Sequence, residues 1–175
     1  MAKMTFSKLN LKLNKDEEKI KIGESEVTIR KYLPQIEKAE LIGFVVERSL
    51  DEKTGCFSPI RLETYFALAV VKWYTDITFT DKQIEEAAKT YDILESNGIF
   101  KQIYSAIPQD EFDYIDNAVA ETAEDIANYN HSLAGILAFA SDSTNNLSEQ
   151  INQVLSQVKN KEGLELLSEI KNVVG

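Results

Sequence analysis

The sequence predicts a mainly α fold: a helical bundle with a small N-terminal β-hairpin or three-strand element, of the α+β kind. Apolar and polar residues alternate in three short runs within the first thirty residues, with the period of two that is typical of half-buried strands. From Tyr32 onward the apolar residues recur every three or four positions, which indicates helices. With 175 residues, the chain is long enough for one domain and a small appendage. We divide it into a basic β element (residues 1–31), an acidic helical body (residues 32–141) and a C-terminal helical arm (residues 142–175).

Three short alternating runs account for the predicted strands. They are Leu9, Leu11 and Leu13, then Ile20–Ile22, then Val27–Ile29. The Gly-Glu-Ser-Glu sequence between the second and third runs is typical of a hairpin turn. Because a lone hairpin is only marginally stable in water, we expect this element to pack on a helix or on another subunit.

Helix caps and breakers divide the acidic body into five helices. Pro34 and Pro59 suit the first turns of the first two helices. Thr80 opens a capping box, Gly98 ends the third helix, and Pro108 separates the fourth from the fifth. The predicted helices cover residues 34–50, 60–76, 81–97, 99–107 and 108–140. The second is apolar on nearly every side, so we expect it at the centre of the bundle with the fifth beside it.

Two amphipathic segments form the predicted C-terminal arm. The first contains Ile151 and Leu155, and the second contains Leu164 and Leu167, with Gly163 between them. Helices this short are marginal in water, so the arm either docks on a partner protein or folds back on the bundle of its own chain. The sequence leaves both possibilities open.

The charge is unevenly distributed along the chain. Residues 1–31 contain eight basic and five acidic residues, whereas residues 32–141 contain eight basic and nineteen acidic ones. The carboxylates are densest in the fifth predicted helix, at Asp110, Asp113, Asp116, Glu121, Glu124 and Asp125. The formal net charge of −10 argues against direct binding of nucleic acid. A basic end and an acidic body predict complementary contacts, including contacts between copies of the chain.

Residues typical of catalytic or metal sites are few. The single cysteine excludes a disulfide framework, and nothing in the sequence around Cys56 or His131 favours a nucleophile and its base. Residues 142–153 begin like a calcium loop but lack its Gly and final Glu. The carboxylates of residues 121–125 lack the Glu-x-x-His spacing of di-metal bundles. The aromatic residues of 65–74 have a single basic residue among them, Lys72, and not the several interleaved Lys or Arg of a base-stacking platform. We therefore predict no catalytic residue, cofactor or metal.

Membrane and secretory classes are not favoured either. No stretch approaches the roughly 20 consecutive apolar residues of a membrane span. The first thirteen residues alternate Lys, Asn and Leu, without the continuous apolar core of a secretory signal. We expect a soluble protein of intracellular type.

Four motifs give the sequence a resemblance to a known group of proteins. They are IRKYLP at residues 29–34, SPIRLETY at 58–65, AIP at 106–108 and NYNHSLAGIL at 128–137. In this order the chain resembles the small acidic helical proteins from the structural gene clusters of tailed phages of low-GC Gram-positive bacteria. The resemblance covers about residues 20–140. It implies a role in building the virion, as a capsid, neck or tail component or as a tail-assembly chaperone.

We interpret the chain as a non-enzymatic phage protein that acts through protein–protein contacts. Its expected partners are other phage structural or assembly proteins and further copies of itself, with no direct nucleic acid and no membrane, in the virion or the host cytoplasm. The predicted contact residues are the three N-terminal leucines, the six carboxylates and the four aliphatic residues of the arm named above. The alternative is an acidic phage inhibitor that mimics nucleic acid and binds a host defence protein. An enzyme is a third class, for which the motifs leave little room.

Overall fold

The computed structural model describes residues 4–51 and 54–132 of the chain. In this part, residues 4–51 and 57–122 form one compact unit, and residues 54–56 and 123–132 belong to a second. The predicted mainly α fold with an N-terminal hairpin is confirmed. The elements are β1 (Glu17–Ile22), β2 (Ser25–Arg30), α1 (Gln35–Ser49), α2 (Pro59–Tyr74), α3 (Asp81–Glu85), α4 (Ala87–Ser96), α5 (Ile99–Ala106) and α6 (Gln109–His131).

The hairpin pairs β1 and β2 in antiparallel register. Glu17 lies opposite Arg30, and Ile22 lies opposite Ser25. The turn between the strands is two residues long, shorter than predicted, and it begins at Gly23 with a left-handed φ of 60°. Glycine adopts that conformation without steric cost.

The predicted third strand over Leu9, Leu11 and Leu13 is wrong. Residues 6–9 form a single 3-10 turn that ends at Asn10 in the left-handed region, and the residues that follow it are in no regular element. A strand needs a neighbour to complete its hydrogen bonds, and the described sheet has only the two strands β1 and β2. An alternating sequence alone is therefore not sufficient for a strand.

The hairpin packs on the helical body, as its marginal stability requires. Val27 and Ile29 of β2 are buried, while Ile20 and Ile22 of β1 are half-buried against the same core. Ile29 also forms an isolated antiparallel bridge with Thr75, just after the end of α2.

Helix α2 lies at the centre of the core of this unit, as predicted. Its residues Leu68, Val70 and Val71 are almost fully buried, and each fully buried aliphatic side chain contributes about 1.5–3 kcal/mol. The surrounding elements supply further fully buried residues, namely Leu33, Leu41, Val45, Ile103 and Ile115. Phe66 and Trp73 are half-buried in aromatic contacts with Phe112 and Phe44, respectively, so these two aromatic residues of the central helix are less buried than its aliphatic ones.

The third predicted helix is two helices in the structure. Its predicted capping box is present, because Thr80 Oγ1 accepts from Gln83 N while the Gln83 side chain accepts from Thr80 N. The helix then breaks at Glu86, where ψ is 40°. Just before the break, the Gln83 carbonyl accepts a hydrogen bond of 2.8 Å from Thr90 Oγ1. A side-chain donor of this kind competes with the backbone of a continuous helix.

Helix α6 confirms the long helix that begins after Pro108, as far as the described residues extend. In the first unit its buried stripe comprises Glu111, Ile115 and Val119. In the second unit, Asn130 Nδ2 donates a hydrogen bond of 2.9 Å to the Gly55 carbonyl. The rest of the predicted helix and the whole predicted arm, with Ile151, Leu155, Leu164 and Leu167, lie outside the described residues.

Candidate protein-interaction surfaces

The N-terminal segment, residues 4–16, exposes apolar side chains to solvent. The predicted contact residues Leu9, Leu11 and Leu13 are 47%, 68% and 53% exposed. Met4 and Phe6 are more exposed still, at 71% and 77%. Five large apolar side chains at the surface of one short segment are more than isolated surface residues, and such patches are typical of interaction sites.

Basic side chains accompany this apolar surface. Lys8, Lys12 and Lys15 are all exposed, and no carboxylate of the described residues forms an ion pair with them. The segment is therefore both apolar and positively charged. A surface of this character suits an acidic partner that also has apolar side chains.

Helix α6 presents carboxylates on the side opposite its buried stripe. In the first unit, Asp110, Asp113, Asp116 and Glu121 are exposed, as their helical phase predicts. Gln109 Nε2 donates a hydrogen bond of 2.7 Å to Asp113, but no Lys or Arg of the described residues pairs with any of the four. Together they form a negative surface along the first half of the helix, which we call the acidic face.

The last two predicted carboxylates belong to the second unit. Glu124 and Asp125 are exposed there. Among the described residues, no group of three or more His, Cys, Asp or Glu side chains is close enough to hold a metal ion.

Glu111 is the charged residue whose role the sequence analysis missed. Its Oε2 accepts from Lys38 Nζ at 2.6 Å, and both side chains are less than 10% exposed. Its Oε1 accepts from Leu33 N at 3.0 Å and from Tyr74 Oη at 2.9 Å. Glu111 lies four residues before the buried Ile115, so the helical period that identified the apolar stripe also includes it.

This buried network joins four parts of the first unit. Leu33 follows the hairpin, Lys38 lies in α1, Tyr74 ends α2, and Glu111 is in the first turn of α6. Burial and the neighbouring Glu111 carboxylate raise the pKa of Tyr74, so the phenol remains a hydrogen-bond donor. Because both carboxylate oxygens are satisfied in this way, we expect the buried charge to hold the packed elements in one arrangement.

Lys38 has a second set of contacts around its ammonium group. Its Nζ lies 4.6 Å from the centroid of the Tyr32 ring and 4.6 Å from that of the Tyr114 ring. Cation–π contacts of this kind add to the ion pair when the charge is desolvated. The ion pair at the centre of this network is therefore shielded from solvent.

Cys56 and His131 lie close together in the second unit. Cys56 Sγ is 4.0 Å from His131 Nε2, and 3.6 Å from the Thr54 carbonyl. Cys56 is half-buried and His131 is exposed. No pattern in the sequence predicts this proximity, since the two residues are 75 positions apart. A separation of 4.0 Å is at the outer limit of a hydrogen bond to sulfur.

A polar cavity lies where the N-terminal segment meets the hairpin and α1. Its volume is about 380 Å³, and its walls include Lys15, Glu17, Arg30 and Glu37. Arg30 and Glu37 form an ion pair there. These two charges already satisfy one another, so the pair does not offer an uncompensated group to a ligand.

Among the described residues, no helix has the length and apolar character needed to cross a membrane. Comparison with family models, with curated proteins and with solved structures finds no match to this chain.

Proposed function

We propose that this chain is a non-enzymatic phage protein that acts in virion structure or assembly through protein–protein contacts. It would serve as a capsid, neck or tail component or as a tail-assembly chaperone, in the virion or the host cytoplasm. The resemblance noted from residues 20–140 supports the phage assignment. The role in protein–protein contacts is supported by the N-terminal segment, whose apolar and basic side chains are exposed.

The energetics favour a partner for this segment. Apolar surface removed from water contributes about 25 cal/mol per Å², and in the described chain the side chains of Leu9, Leu11 and Leu13 remain largely in water. Lys8 and Lys12 beside them would be attracted to an acidic protein surface. Such a partner would supply the apolar contact that the segment does not find within its own unit.

The test is complementation in a phage that encodes the chain. The gene is disrupted, and the variant Leu9→Ser/Leu11→Ser/Leu13→Ser is supplied in trans. We expect phage DNA replication to continue while the yield of infectious particles falls at least tenfold below that with the unmodified chain. The melting temperature of the purified variant should not change, because these side chains are exposed.

The matched control replaces exposed aliphatic residues elsewhere. Ile60 and Ile93 are 76% and 55% exposed and lie on α2 and α4. The variant Ile60→Ser/Ile93→Ser should complement fully. Full particle yield from the triple leucine variant would contradict the proposal, and so would a defect confined to phage DNA replication.

A second candidate function is an acidic inhibitor that imitates the phosphate backbone and binds a host defence protein. The exposed acidic face of α6, without Lys or Arg partners among the described residues, favours it. The variant Asp110→Asn/Asp113→Asn/Asp116→Asn separates the two functions. If the chain is an inhibitor, this variant should lose inhibition, and inhibition by the unmodified chain should weaken steeply with added salt. If the chain is a virion component that contacts its partner through the N-terminal segment, the variant should retain particle yield.

A further inference from the structure

The hairpin has one strand edge whose backbone groups have no backbone hydrogen-bond partner among the described residues. Lys31 N donates to the Asp16 carbonyl at 2.9 Å, which extends the hydrogen-bond ladder between the strands one residue pair beyond Glu17 and Arg30. Hydrogen-bonded and non-hydrogen-bonded pairs alternate in an antiparallel ladder. The backbone N–H and C=O groups of Glu17, Lys19 and Lys21 therefore point away from β2.

The outer edge of β2, in contrast, is covered by its own chain. Thr28 N donates to Asp76 Oδ1 at 3.2 Å, and Ile29 forms a bridge with Thr75. Within the described residues, nothing equivalent pairs with the outer edge of β1. An open edge of this kind is a template for another strand.

The side chains on the open edge are complementary to themselves in one antiparallel register. If two copies of β1 pair with Lys19 at the two-fold axis, Glu17 of each copy lies opposite Lys21 of the other. Both are exposed, and neither has an ion-pair partner among the described residues. Each Lys19 is already paired with Glu26 of its own hairpin at 2.6 Å, so its charge is partly compensated at the axis.

Other registers are less favourable. A shift that centres the pair on Ile20 places Lys19 opposite Lys21, and like charges directly opposite are destabilising. A shift that centres it on Glu18 pairs fewer residues of the six-residue strand. Lysine on an edge strand usually prevents non-specific strand pairing. In the register centred on Lys19, Glu17 compensates the charge of Lys21 of the other copy.

We propose that the outer edge of β1 is a self-association surface, on which two copies of the chain join their hairpins into a continuous antiparallel sheet. This inference rests on the proposed function, since it identifies a second copy as one partner of the protein–protein contacts. The axis passes through Lys19, with the cross-strand pairs Glu17–Lys21 formed twice.

The experiment is a charge exchange on the purified full-length chain, followed by sedimentation equilibrium at low salt over a wide concentration range. Glu17→Lys and Lys21→Glu each place like charges opposite one another twice, so each should lower the association constant about tenfold or more. An equimolar mixture of the two variants should form a heterodimer, because each Lys then faces a Glu. The double variant Glu17→Lys/Lys21→Glu should self-associate again.

The control is Lys82→Glu, which makes the same charge change on the exposed first turn of α3 and should leave association unchanged. Unchanged far-UV circular dichroism and melting temperature verify that the hairpin folds in each variant. A wild-type chain that stays monomeric at every concentration would overturn the proposal, and so would a dimer insensitive to both single variants. Neither result bears on the assembly role, which the particle yield tests separately.

Discussion

The buried ion pair between Lys38 and Glu111 gives the most direct test of how this fold is held together. Replacing Lys38 with Met keeps an unbranched side chain that can still pack against the neighbouring aromatic rings. It removes the cation that lies 2.6 Å from the Glu111 carboxylate. Glu111 keeps its hydrogen bonds from Leu33 N and Tyr74 Oη, so the test isolates the loss of the positive charge.

The burial of this ion pair sets the loss of unfolding free energy that we expect in Lys38→Met. Removing one partner of a buried pair costs about 3–5 kcal/mol. Because Glu111 keeps two other donors, we expect a loss of about 3–4 kcal/mol at pH 7. For a chain of this size, that lowers the melting temperature by roughly 6–16 °C.

The assay is urea or thermal unfolding of the wild-type chain, Lys38→Met and the double variant Lys38→Met/Glu111→Gln. The amide carbonyl that replaces the Glu111 carboxylate can still accept from Leu33 and Tyr74, but it bears no charge that needs compensation. The double variant should therefore recover most of the lost stability.

An exposed pair provides the control. Lys89 and Glu86 lie 3.2 Å apart at 71% and 42% exposure, so Lys89→Met should cost less than about 1 kcal/mol. If Lys38→Met cost as little as Lys89→Met, the network would not hold the elements together. A double variant no more stable than Lys38→Met would likewise refute the argument from an uncompensated charge.

Two further predictions concern single side chains. Burial raises the pKa of Tyr104 above its ordinary value of 10.0, so above pH 10 the unfolded chain loses this proton before the folded chain does. Stability should then fall as the pH rises, by up to about 1.4 kcal/mol per pH unit for this group. In Tyr104→Phe, pH-dependent unfolding should show a shallower fall, and an unchanged slope would refute the assignment. Cys56→Ser and His131→Asn should each complement particle yield fully, because the proposed contact surfaces include neither side chain. Loss of yield with unchanged melting temperature in either variant would favour an enzymatic role.

Local signals in the sequence correctly predicted the element boundaries that depend only on interactions between neighbouring residues. The capping box at Thr80 and the left-handed Gly98 are formed by neighbouring residues, so a short window contains all the information. The break at Glu86 was not predicted, because the propensities of residues 81–97 favour one continuous helix. The side-chain donor that competes with the helix, Thr90, lies seven positions after the Gln83 carbonyl that accepts from it. Helix propensity does not predict a break that arises when a side chain several residues away donates a hydrogen bond to a backbone carbonyl of the helix.

The candidate sites were predictable to a different extent. Helical phase was enough to place Asp110, Asp113 and Asp116 on the exposed side of α6. The same phase put Glu111 among buried residues, but its role depends on Lys38, which is 73 positions away. The approach of Cys56 to His131 is equally non-local. Patterns within one element predict exposure, whereas partners across elements require the folded chain.

The N-terminal leucines show how a wrong structural prediction can still indicate a function. Their alternation has the period of a strand, yet the described unit offers them no neighbouring strand and leaves them exposed. Exposing Leu9, Leu11 and Leu13 costs solvation free energy in the isolated chain, which is recovered only if another surface covers them. The same reasoning applies to the open edge of β1, where the backbone groups of Glu17, Lys19 and Lys21 lack described protein partners. Because both features lie at the N-terminal end of the first unit, we expect contacts with other subunits to concentrate there.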